Sequence, residues 1–113
     1  MSKLSTHVLD TANGRPAAGM QIDFVRNPGG GEELIKSVVT NSDGRTDELL
    51  LTAGEMAAGE YELRFNVGAY FGSGDEPAFL NIVPVRFTIT HPEQGYHVPL
   101  VCSPWSFSTY RGS

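Results

Sequence analysis

Tyr61, Leu63, Phe65 and Val67 alternate with Glu60, Glu62, Arg64 and Asn66. A period of two sends successive side chains to opposite faces, so this stretch predicts a β-strand with one buried face and one wet one. Met20, Ile22 and Phe24 against Gln21 and Asp23 repeat the pattern, as do Val85, Phe87 and Ile89 against Arg86, Thr88 and Thr90. Leu34 to Thr40 is rich in β-branched residues and lies between the turn signals Gly29-Gly30-Gly31 and Asn41-Ser42-Asp43-Gly44, which predicts a further strand. Leu4 to Leu9 alternates more weakly ahead of Asn13-Gly14, and Tyr96 to Ser103 and Ser106 to Tyr110 extend the count to seven or eight strands.

One segment reads as helical. Thr52-Ala53-Gly54-Glu55 has the spacing of a capping box, and Met56-Ala57-Ala58 carries it to a stop at Gly59, two turns at most. Many short strands with so little helix predict an all-β fold, a sandwich or small barrel. With neither a linker nor a repeat in 113 residues, the expectation is a single domain spanning residues 1–113.

Composition narrows the function classes. The hydrophobic and charged fractions, 40% and 19%, are those of an ordinary globular chain rather than a disordered one. Eight Lys and Arg against thirteen Asp and Glu leave a formal charge of −5, which offers no footprint for nucleic acid. An anionic substrate would need a local cluster of arginines. The longest apolar run, around Val98 to Cys102, is broken by Pro99 and is too short for a bilayer. No signal-peptide block follows Lys3, so no membrane or export role is expected. Cys102 is the only cysteine, which excludes an internal disulfide and a thiolate metal cluster and fits a packed thiol in a reducing compartment.

Three histidines are candidates for acid–base work, because imidazole titrates near neutrality. By position alone, His7 in its strand is more often a structural residue than a catalytic one, and His97 reads as a surface histidine near a strand end. His91, before Pro92, reads as a solvated loop residue. Arg45 follows the turn Asn41 to Gly44, where a scaffold can project a guanidinium toward an anionic ring or an oxyanion. Left alone, it is a solvated arginine. Gly29-Gly30-Gly31 lacks the Lys-Ser/Thr ending of a phosphate loop and is followed by Glu32 and Glu33. No paired-histidine motif suggests a metal. The ending Ser108 to Ser113 is either a frayed tail or, as Trp105, Phe107 and Tyr110 argue, a docked one.

Three blocks together closely resemble 5-hydroxyisourate hydrolases, the enzymatic branch of the transthyretin-like family. They are Leu4-Ser5-Thr6-His7-Val8-Leu9-Asp10-Thr11 with Gly14-Arg15-Pro16-Ala17; Thr40-Asn41-Ser42-Asp43-Gly44-Arg45; and Tyr96-His97-Val98-Pro99-Leu100 through Tyr110-Arg111-Gly112-Ser113. The terminal Tyr-Arg-Gly-Ser is the feature that separates these hydrolases from transthyretin itself. Phe79 to Pro84 departs from the family's usual sequence and leaves the edge strand there without a guide.

The resemblance implies an eight-stranded transthyretin-like sandwich with at most one short helix. It also implies a homotetramer, a dimer of dimers with sites where the dimers meet. It marks His7, Arg45 and His97 as catalytic, and His7, Arg45, Tyr110, Arg111, Gly112 and Ser113 as substrate-binding, with no cofactor and no metal. Water would open the ring of 5-hydroxyisourate at a cyclic amide in urate catabolism. The residues do not say which histidine is the base. The alternative is a transthyretin-like protein that binds a small ligand without catalysis. The expected setting is cytoplasmic, or peroxisomal in a eukaryotic source.

Overall fold

The computed structural model describes every residue except Met1, Gly74, Pro77 and Ser113. Eight strands run through these residues: β1 (Lys3–Asp10), β2 (Arg15–Pro16), β3 (Gln21–Arg26), β4 (Glu33–Val39), β5 (Gly59–Asn66), β6 (Ile82–Ile89), β7 (Gly95–Cys102) and β8 (Phe107–Thr109). They form two four-stranded sheets, ordered β2-β1-β7-β8 and β4-β3-β5-β6. The fold is the transthyretin-like sandwich that the resemblance implied.

Alternation builds the core. Leu4, Thr6 and Val8 of β1 are buried while Ser5, His7 and Leu9 between them stay partly open. Tyr96, Val98, Leu100 and Cys102 of β7 meet Ile22, Phe24, Tyr61, Leu63 and Phe65 from the opposite sheet in one apolar cluster. The Cys102 thiol is buried there, as expected, and burial pushes it up to about 11, so it is not a nucleophile at neutral pH.

The single parallel pairing among the described residues is the one that matters for the site. β1 lies parallel to β7 from Lys3↔Gly95 to Asp10↔Cys102, in register with Ser5 beside His97 and His7 beside Pro99. All other pairings between named strands are antiparallel.

Several expectations need correction. The wet face of β5 is not wet at Glu62, which is 5% exposed. Arg64 and Arg86 reach over it from β5 and β6, with ion pairs at 2.5 and 3.1 Å, and these charge-assisted bonds let a carboxylate lie under cover. The segment read as two helical turns at most makes one 3-10 turn, Ala53–Glu55, with the expected capping box, the Glu55 carboxylate accepting from the Thr52 N–H at 2.9 Å. The chain leaves it at once, because Met56 is extended.

The α-helix lies elsewhere. Val67, read as the end of a strand, opens α1 (Val67–Phe71). Gly68 there donates to the Asn81 carbonyl at 2.9 Å, and a Cβ on it would come within 2.5 Å of Asn81 Oδ1. Tertiary contact, not propensity, sets this helix. β6 begins inside the divergent Phe79–Pro84 segment and pairs with β5 along its full length.

The tail is docked, but not by its aromatic rings. Trp105 is 73% exposed, and Phe107 and Tyr110 are exposed too. Main chain and small side chains hold it instead. β8 pairs with β7, Thr109 Oγ1 donates to the Pro99 carbonyl at 2.7 Å, and the Gly112 N–H donates to the His97 carbonyl at 2.8 Å.

Candidate functional site

The outer face of the β2-β1-β7-β8 sheet carries the candidate site. Parallel registration sets His7 and His97 two residue levels apart on adjacent strands, both half-buried and both on the side away from the core. Each ring is held at one nitrogen. His7 Nε2 lies 2.8 Å from the Asp43 carbonyl oxygen. A carbonyl only accepts, so Nε2 carries the proton and Nδ1 of the neutral ring keeps the lone pair.

The turn after β4 brings the arginine. Asn41 Oδ1 accepts from the N–H groups of Asp43 and Arg45, and the Asn41 N–H donates to the Arg45 carbonyl at 2.8 Å. Gly44 closes the turn at φ +75, a left-handed conformation that suits glycine. Its carbonyl accepts from Val8 N–H at 2.8 Å. This stitch fastens the turn to β1 one residue beyond His7 and leaves Arg45 exposed beside the histidines. Among the described residues Arg45 has no ion-pair partner.

His97 feels that arrangement. Burial lowers its pKa below the ordinary imidazole value, and the positive fields of Arg45 and Lys3 lower it further, as does His7 whenever that ring is protonated. The ring is therefore neutral at neutral pH, the state a proton acceptor needs. Its Nδ1 is 2.8 Å from Ser5 Oγ. Gly112 packs against the opposite edge, where a Cβ would come within 2.6 Å of His97 Cδ2.

His7, Arg45, His97 and Gly112 thus come together on one face. Arg111 does not join them, because its guanidinium stacks 4.1 Å over the Tyr96 ring and donates to Gln94 Oε1 and the Gly95 carbonyl. Tyr110 is exposed. Ser113 lies outside the described residues. His91 is exposed beside Glu93, as its loop position suggested. Sequence reasoning passed over Ser5 and Lys3, although their spacing to His7 puts all three on one strand face. The part played by the Asp43 carbonyl has no signal in a sequence.

Residues 4–112 match the sequence pattern described as the HIUase/Transthyretin family. The chain belongs to that family. Among relatives in the HIUase/Transthyretin family, 5-hydroxyisourate hydrolase 2 of Rhizobium meliloti (strain 1021) is 52% identical, over 98% of this chain and 96% of that protein. The solved 5-hydroxyisourate hydrolase of Klebsiella pneumoniae superposes with a TM-score of 0.82 at 34% identity, covering 100% of both chains. Transthyretin from Sparus aurata superposes with a TM-score of 0.86 at 27% identity, over 99% of this chain and 97% of that one. The shared HIUase/Transthyretin fold therefore hosts proteins with both names, and the choice between them falls to the side chains on the outer sheet face.

Proposed function

We propose that this chain is a 5-hydroxyisourate hydrolase. The observation that carries the reading is that His97, whose pKa burial lowers, shares one sheet face with His7 and with Arg45, which has no ion-pair partner among the described residues. Relatives of that name at about half identity over nearly the whole chain support it.

In this reading a ring carbonyl of 5-hydroxyisourate sits beside the histidines with its anionic oxygens toward Arg45. His97 takes a proton from water as the water oxygen bonds to the carbonyl carbon, and Arg45 stabilises the resulting oxyanion. When the carbon–nitrogen bond breaks, His97 returns the proton to the departing nitrogen. The new carboxyl group loses its remaining proton to solvent, giving 2-oxo-4-hydroxy-4-carboxy-5-ureidoimidazoline. His7, with Nδ1 free, accepts a hydrogen bond from the water or from a substrate N–H. Positioned acid–base groups supply about 10²–10⁴-fold in such reactions.

Tyr110, Gly112 and Ser113 border the substrate, and Arg111 anchors the tail that carries them. The reading extends to a single domain over residues 1–113, a homotetramer with sites between dimers, no cofactor, and a cytoplasmic setting. The family resemblance supports these, and sedimentation and fractionation test the assembly and the setting.

The direct test generates 5-hydroxyisourate from urate with urate oxidase and follows its ultraviolet decay with and without this protein. Acceleration is expected, and Arg45→Ala should remove roughly 10²–10³-fold of it, the usual cost of losing a preorganised oxyanion partner. Failure of the folded protein to accelerate the decay would overturn the reading in favour of small-ligand binding.

A further inference from the structure

A neutral imidazole has one N–H and one lone pair, and the partner of each nitrogen decides which is which. At His7 the Asp43 carbonyl makes that choice. At His97 the partner is a hydroxyl, Ser5 Oγ, 2.8 Å from Nδ1. Ser5 stands directly beside His97 in the parallel register, so the strand pairing itself holds the two side chains at hydrogen-bond distance.

A hydroxyl can donate or accept, so geometry around it must break the tie. A proton on Nδ1 finds an acceptor in Ser5 Oγ, whereas one on Nε2 finds none among the described residues, so the geometry favours Nδ1–H. On the other edge Gly112 lies so near that a Cβ there would meet Cδ2 at 2.6 Å, so the ring sits between β1 and the tail. Nε2 remains at the free tip, and among the described residues it makes no hydrogen bond.

Resting on the hydrolase reading above, we propose that Ser5 is a positioning residue for the reaction, holding the His97 proton on Nδ1 so that Nε2 presents its lone pair to the attacking water. Among the described residues, the charged and titratable groups that act on His97 are Lys3 and His7 from β1 and Arg45 from the turn. They govern whether the ring is protonated at all. Ser5 governs which nitrogen stays protonated when it is neutral. Free histidine prefers the opposite tautomer, with the proton on Nε2, so removal of Ser5 Oγ lets His97 relax toward a form that offers water no base.

The experiment combines spectra and kinetics. Long-range ¹H–¹⁵N correlation of the labelled protein without substrate, at about pH 8 where imidazole is neutral, should report His97 as the Nδ1–H tautomer. Ser5→Ala should shift it toward Nε2–H and lower kcat about 3- to 10-fold, the worth of one ordinary hydrogen bond, with KM nearly unchanged. Ser5→Thr, which keeps an oxygen on Cβ, should recover most of the loss and the tautomer. An Nε2–H tautomer in the wild-type protein would overturn the proposal. So would a folded Ser5→Ala protein with unchanged spectra and kcat. Because the spectra need no substrate, they decide the Ser5–His97 relationship even if the wild-type protein failed to hydrolyse 5-hydroxyisourate, an outcome that would refute the hydrolase reading and Ser5's part in it.

Discussion

Gly44 and Val8 are joined so closely that glycine is required at the first. The Val8 N–H donates to the Gly44 carbonyl at 2.8 Å, and a Cβ at Gly44 would collide with the Val8 carbonyl oxygen and press on Pro16 Cβ and Ala17 N. Two of these three obstacles are backbone and cannot swing away. The contact is what seats the Arg45 turn beside His7.

Gly44→Ala should therefore be costly twice over. Left-handed strain accounts for about 1–2 kcal/mol, and the backbone collision takes the total to about 2–4 kcal/mol. Urea unfolding measures it. Gly30→Ala is the contrast, since nothing lies near its Cβ and its φ is not in the left-handed region, and it should stay within about 0.5 kcal/mol of wild type. A Gly44→Ala protein as stable as Gly30→Ala would contradict this account of the turn.

Gly112→Ala makes a different kind of damage. Its Cβ would meet His97 Cδ2 at 2.6 Å, and a side-chain ring can yield where backbone cannot. The expected result is near-normal stability with the ring displaced, and a loss of about 10–100-fold in kcat, as small misplacements of reacting groups produce. Steady-state kinetics beside a thermal melt separate the two effects.

The acid limb of kcat/KM should lie below about 6.5, the value of an unperturbed imidazole. Burial of His97 and the nearby positive charges favour its neutral form, so the base survives into mildly acidic solution. Lys3→Gln removes one of those charges and should move the limb upward. The sign for stability follows from proton counts. The unfolded chain binds the His97 proton more readily, so this residue's contribution is complete above about 6.5 and declines as pH falls toward the lower folded value. A limb above that of free imidazole would contradict the argument.

Asp10 responds to acid for another reason. Burial works to raise this carboxyl, but hydrogen bonds from the Asn13 side chain, the Asn13 N–H and the Tyr70 hydroxyl outweigh it and hold the group below its ordinary value. The contribution is present above the unfolded value and lost as pH falls through the folded one. Tyr70→Phe removes one of these bonds and should cost about 1–2 kcal/mol at neutral pH. The gap from wild type should narrow in unfolding experiments below about pH 3.9. A gap constant across that range would mean that the hydroxyl does not serve the carboxylate.

How much of this was legible beforehand depends on the range of the contacts involved. β1, β3, β5 and β7 could be read because their alternation reports a buried face residue by residue. Glu62 could not, since its cover comes from Arg86 on a different strand. The five residues of α1 are too few to show a helical period, and what holds them is Asn81. For the site, His7, Arg45 and His97 stood out only through whole-chain resemblance. Ser5 had the right spacing to His7 but no reason to be singled out until β1 was found parallel to β7. Arg111 looked like a site residue and is drawn off by Tyr96, a partner fifteen positions away that only the folded tail brings near.

That parallel pairing has a consequence for assembly. Ser5 and His97 are 92 residues apart in the chain, and contacts so distant must await the closure of everything between them. No early hairpin, nascent chain or fragment can own this site. Catalytic competence cannot precede the meeting of β1 and β7, so the appearance of activity during refolding is a clock for a late step and not for the first.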